Sequence, residues 1–159
     1  MMNGVRKFAT TIALAGLVTL AVEPCVTSAH EIAPAQQTVE VEGLTIDLLR
    51  CERSNQATKC YLRITDAKQG DYCQLMAKSA RAFDFAGNEY IAKETQIGSQ
   101  TGRGPGISLV RGIPVSASVT FRDMQSAKDL AGLEIIAGGR GCAGRVFQFR
   151  DVAITVPKR

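Results

Sequence analysis

The sequence predicts an all-β protein, an antiparallel sandwich of about seven or eight short strands. Two observations carry that prediction. The apolar segments are short, alternate with period two, and stop at Gly, Pro, Asn or Asp. No apolar pattern at helical spacing runs clearly beyond two turns. Composition agrees: 159 residues at 45% hydrophobic and 21% charged, with 15 Gly and no Trp, describe an ordinary globular chain. Collagen-like, coiled-coil and disordered classes are excluded.

The first 29 residues read as an address rather than as part of the fold. Arg6 and Lys7 precede an apolar stretch over 8–22, which stops at Glu23-Pro24. Thr27-Ser28-Ala29 then offers the small residues that a signal peptidase reads. As a helix the apolar stretch spans about 22 Å, short of the roughly 30 Å hydrocarbon core, so cleavage and no remaining transmembrane span are expected. Cys25 raises a lipid anchor as the alternative. Val22-Glu23-Pro24 stands before it where a lipidation site needs small residues. Residues 30–43 then form an N-terminal extension, 44–156 the sandwich domain, and the location is secreted or periplasmic.

Along that domain, Leu44-Thr45-Ile46-Asp47-Leu48 and Cys60-Tyr61-Leu62-Arg63-Ile64-Thr65 alternate as half-buried strands do. A third strand covers about 72–85, and Ala86-Gly87-Asn88-Glu89 turns the chain toward Tyr90. Residues 98–106 read as a long loop with no element of their own. Short strands follow at 107–110 and 115–121. Residues 130–137 suit a strand, although Lys128-Asp129-Leu130-Ala131 also fits the opening of a short helix. Residues 146–156 close the chain with Phe147 and Phe149 on one face.

Without the leader, Cys51, Cys60, Cys73 and Cys142 remain, an even number that fits an oxidising compartment. Four cysteines permit three pairings. On the strand map Cys51 ends one strand and Cys60 opens its antiparallel neighbour, which leaves Cys73 with Cys142. The short loop is worth about 2.5–3 kcal/mol and the long one about 4. No pair has the Cys-x-x-Cys spacing of a redox dithiol, so both are expected to be staples.

Several segments carry a resemblance. Arg81-Ala82-Phe83-Asp84 with Gly87-Asn88-Glu89-Tyr90, Gly112-Ile113-Pro114-Val115 running into Val119-Thr120-Phe121, and Phe147-Gln148-Phe149-Arg150-Asp151-Val152 together resemble a group of uncharacterised secreted bacterial β-sandwich proteins. Cys51 and Cys60 sit where such proteins often have a pair. The likeness covers about 44–154 and implies an exported, immunoglobulin-like domain. It carries over no catalytic residue. Cys73, Cys142 and the glycine-rich run 138–144 depart from the pattern.

The search for chemistry turns on His30, the only histidine. Ser-His-Asp and Cys-His catalysis need a histidine held inside a site, and a chain-terminal one does not serve. Cleavage after Ala29 would give His30 a free amino group beside its imidazole, so weak Cu(II) capture is the alternative function. Asp84, Asn88 and Glu89 lie close together but match no calcium loop, and a turn accounts for them. The absence of Trp argues against a carbohydrate-cleaving carboxylate pair.

The formal charge of +4 falls to +3 once Arg6, Lys7 and Glu23 leave with the leader, too little for nucleic acid. Two glycine-rich runs, 98–106 and 138–145, carry Arg103, Arg140 and Arg145 without a phosphate-loop motif. The expectation is therefore a non-catalytic exported module without a cofactor. It would meet an envelope or extracellular protein, or an anion, through Arg103, Arg140 and Arg145.

Overall fold

Alternation builds the strands, and breaks in the alternation curve them. A computed structural model describes residues 34–157 apart from positions 56, 69, 71 and 125. Its strands are β1 (Gln37–Val41), β2 (Leu44–Ser54), β3 (Ala57–Asp66), β4 (Tyr72–Asp84), β5 (Glu89–Ile91), β6 (Glu94–Ile97), β7 (Gln100–Gly102), β8 (Gly106–Ser108), β9 (Val115–Arg122), β10 (Asp129–Gly138) and β11 (Val146–Thr155). The leader with Cys25, and His30 after it, lie outside the described residues. Among the described residues there is no helix, so 130–137 belong to a strand and not to a helix opening.

In β2, Leu44, Ile46 and Leu48 point inward, and a register shift between Leu48 and Arg50 then moves the inward phase to Cys51. Without that extra residue Cys51 would oppose Lys59, whose neighbours in β3 show that odd positions face outward. With it, Cys51 pairs with Cys60 in register, Cα atoms 4.0 Å apart. β4 changes phase likewise: Cys73, Leu75 and Ala77 are buried, then Ala80, Ala82 and Asp84. In β11 the change follows Phe147 and Phe149 and falls at Asp151, which has φ +51°, before Val152 is buried.

The strand order is β5-β4-β10-β11-β2-β3-β9-β6-β7, one mixed eleven-stranded sheet curled as a half-barrel, with β1 on β2 and β8 on β4. Its two halves are antiparallel throughout, and they meet where β11 runs parallel to β2 at Ile154↔Cys51 and Thr155↔Glu52. The Thr155 hydroxyl donates to the Cys51 carbonyl at 3.2 Å and secures that join. Where β11 diverges, β1 takes the vacated edge of β2, and Gln37 bonds to the backbone of Arg150 through both ends of its amide. The inner faces of the halves supply the core: Leu48, Leu62, Val119 and Phe121 from one, Leu75, Leu133, Ile135, Phe147 and Phe149 from the other, all essentially buried.

Four expectations are corrected. The sheet is mixed rather than purely antiparallel, because β11 joins β2 in parallel. Among the described residues eleven strands replace seven or eight. β1, read as extension, pairs along its whole length, and 98–106 contains β7 and reaches β8, where a structureless loop was expected. Three-residue strands hold too few alternations to leave a periodic signal.

Candidate functional site

The site forms where the chain crosses twice between the halves of the sheet. β5 pairs with β4 over Arg81, Ala82 and Phe83, and β8 pairs with it over Tyr72, Cys73 and Gln74. Between them the edge of β4 carries no strand partner. After β5 the chain leaves that edge: Ala92 N–H donates to Ala80 O and Lys93 N–H to Thr120 O, both at 2.9 Å. The chain then runs as β6 and β7 beside β9 and returns, with the Arg103 and Pro105 carbonyls accepting from Ala77 N–H at 2.9 Å and Leu75 N–H at 3.0 Å. The Thr95 hydroxyl donates to Leu75 O at 2.6 Å and stitches the corner.

These two crossings bound a groove of about 370 Å³ lined by Met76, Ala77, Lys78, Ile91, Ala92, Lys93 and Arg103. None of the lining residues is acidic. Lys78, Lys93 and Arg103 are exposed, and among the described residues no ion pair engages any of them. Met76 and Ile91 give the groove an apolar wall. Three cations converging on a concave surface make its potential positive, the sign that complements an anion or an acidic segment. Lys78 also stands on the unpaired stretch of β4, where a lysine blocks edge-to-edge association.

The three predicted arginines separate. Arg103 lines the groove on the β8 flank of β4. Arg140 is exposed in the turn after β10, on the opposite flank of β4, and is displaced along that strand as well: Arg103 lies beside Ala77, whereas Arg140 follows Gly138, the partner of Gln74. Arg145 is no solvated loop arginine: its side chain is 14% exposed, and its Nε donates to Glu42 Oε2 at 3.3 Å. Lys78 and Lys93 were not singled out from the sequence. Lys78 lies where the burial phase of β4 changes, and a charge at such a break is the signal available for it.

The cysteines Cys51, Cys60, Cys73 and Cys142 are buried, and Cys73 lies 5.3 Å from Cys142 by Cα, so both expected pairs form. Asp84 organises its turn. One carboxylate oxygen accepts from the backbone N–H of Ala86 and Asn88, both at 2.9 Å, and the other from the Asn88 amide at 2.8 Å and the Tyr90 hydroxyl at 2.9 Å. The Asn88 side-chain bond, ahead of the backbone bonds, holds the Asp84 carboxyl below its usual range. Glu89, its neighbour, pairs with Arg81.

A second dent, about 190 Å³, lies on the outer face of β4, β10 and β11 among Phe83, Gly132, Glu134, Gln148 and Arg150. Its charges are largely spent on each other. Arg81 donates to Glu134 through two nitrogens, and Gln148 donates to the other Glu134 oxygen at 2.8 Å. The Arg81 bond first, then the Gln148 bond, holds the Glu134 carboxyl below its usual range, and the Glu134 bond raises Arg81. Neither a family model nor a curated protein matches the chain.

Proposed function

We propose that this protein is an exported, non-catalytic binding module of the cell envelope that captures an acidic partner in the groove of Lys78, Lys93 and Arg103. The observation that carries this reading is the convergence of three unpaired cations on a groove with no acidic lining. Support for a non-catalytic role comes from Glu134, the carboxylate of the other dent. It is held ionised by Arg81 and Gln148, the reverse of what a general acid requires.

Export is supported by the leader-like first 29 residues and by two cysteine pairs buried within bonding distance. Among the described residues no helix is long and apolar enough to cross a membrane. The immunoglobulin-like reading draws support from strand order. β2-β3-β9-β6 in one half and β5-β4-β10-β11 in the other run as A-B-E-D and C′-C-F-G do in that architecture.

The groove is tested with polyglutamate as the probe, by calorimetry at two salt concentrations. Binding weakened by salt, and reduced at least tenfold in K78E/K93E/R103E with its thermal midpoint unchanged, is expected. Equal binding by the triple variant overturns the assignment. Export is tested by intact mass without reduction. A chain beginning at His30 and lighter by four hydrogens is expected, and an intact chain with free thiols rejects it.

A further inference from the structure

One end of the molecule carries an exposed apolar point. Between β8 and β9, residues 110–114 are all exposed, with Val110 at 63% and Ile113 at 55%. This tip is held in place. Ile113 N–H donates to Val110 O at 3.0 Å, Gly112 N–H to Asp66 O at 2.7 Å, and Arg111 Nε to Ala67 O at 3.1 Å. Two aliphatic side chains are therefore presented to water on a backbone anchored to the loop after β3, an arrangement that folding alone does not favour. Tyr72, 41% exposed, sits beside the tip, opposite Ser108 of β8 and against Gly139.

The charges around the tip are unequal in what they are free to do. Lys68, whose stem lies along Gly43, Arg111 in the tip and Arg140 in the turn after β10 supply positive charge. Among the described residues the carboxylates at this end are already engaged: Glu42 takes Arg145, and Asp66 accepts the backbone N–H of Lys68 and Gly70, both at 2.9 Å.

We propose that this end docks the domain on an anionic lipid surface. Val110 and Ile113 enter the boundary between headgroups and acyl chains, and Lys68, Arg111 and Arg140 meet lipid phosphate. Charge complementarity selects this occupant, because an apolar point ringed by cations is what an anionic interface attracts. A second copy of the chain would bring like charges together. Two side chains on a convex turn also offer far less area than a stable protein interface needs. The inference goes beyond the acidic-partner groove and does not depend on it.

The test is co-sedimentation of protein purified from the envelope of the producing cell with vesicles of phosphatidylcholine, with and without phosphatidylglycerol. Partitioning onto the anionic vesicles at least about tenfold above the neutral ones is expected, falling about tenfold in V110S/I113S. That variant keeps every charge, so its loss separates the tip from the cationic groove. K68E/R140E should remove the preference for phosphatidylglycerol, and the thermal midpoints of both variants confirm folding. Equal partitioning onto both vesicles, V110S/I113S binding as the parent does, or capture of a protein partner without vesicle binding overturns the proposal.

Discussion

The runs 98–106 and 138–145 share a composition of glycine and arginine, and they approach the same strand from opposite sides. Gly106, Gln74 and Gly138 lie abreast on β8, β4 and β10. In both runs glycine serves close approach. A side chain at Gly106 would press on Gln74, Tyr72 and the Cys73 carbonyl, and one at Gly139 would fall on the Tyr72 carbonyl. Their arginines nevertheless diverge. The second run is pinned by Cys142 to Cys73 and folds Arg145 against Glu42, while the first is anchored through its own backbone and leaves Arg103 outward. What holds a loop, more than what it contains, decides whether its charge is available.

The largest expected effect tests the pin. C73A/C142A should cost about 4 kcal/mol in urea unfolding without reductant, against about 3 for C51A/C60A, whose cysteines a long β-ladder already aligns. Equal losses would mean that the long-range staple does not organise the second run. Next comes Gly139→Ala, with its carbonyl clash and φ of +93°, at about 2–4 kcal/mol. Gly106→Ala meets Gln74 Cγ, the Tyr72 hydroxyl and the Cys73 carbonyl but has no positive φ, and should cost about 1–2 kcal/mol. A reversed ranking would break the parallel drawn between the runs.

A smaller effect sharpens the contrast through a third turn, whose charge is also held inward. Asp84 and Glu134 have folded-state values below those of the unfolded chain. Their stabilisation is therefore fully present above the unfolded values, about 4, and is lost as pH falls through the lower folded ones. Melting followed from pH 7 down to pH 2 should show this loss, and D84N should lower the neutral-pH midpoint by several degrees and flatten the acid limb. An unchanged acid limb would contradict the assigned hydrogen bonds. The smallest effects concern the arginines themselves. R145M should cost about 0.5–1 kcal/mol by chemical unfolding and R103M at most about 0.3, since only Arg145 is packed. Polyglutamate binding should respond in the opposite order.

Much of the framework was legible. The long strands β2, β3, β4, β9 and β11 carry enough alternations to show themselves, and the cysteine pairs followed from the strand map. Of the short strands, β8 was met by the segment read at 107–110 and β5 by the return at Tyr90, but β6 and β7 did not show, because three or four residues hold too few alternations and pair only where the fold supplies an edge. The site was legible through Arg103 alone. Lys78 and Lys93 stand 15 residues apart in sequence and meet only because the chain crosses between the halves after β5. Arg145 was read as solvated because its partner, Glu42, is 103 residues distant.

The sequence by itself determined the all-β class and the alternation that marks each long strand, and it favoured one cysteine pairing, since side-chain alternation and turn chemistry are local properties of the chain. The tertiary structure alone decided the rest. It placed the extra residue in β2 that turns Cys51 toward Cys60, and it closed the curl through β11 running parallel to β2. It also opened the cationic groove between two crossings and offered the apolar tip to solvent. Each of these depends on which distant segments lie side by side, a choice made by burying one shared core, which no local pattern encodes.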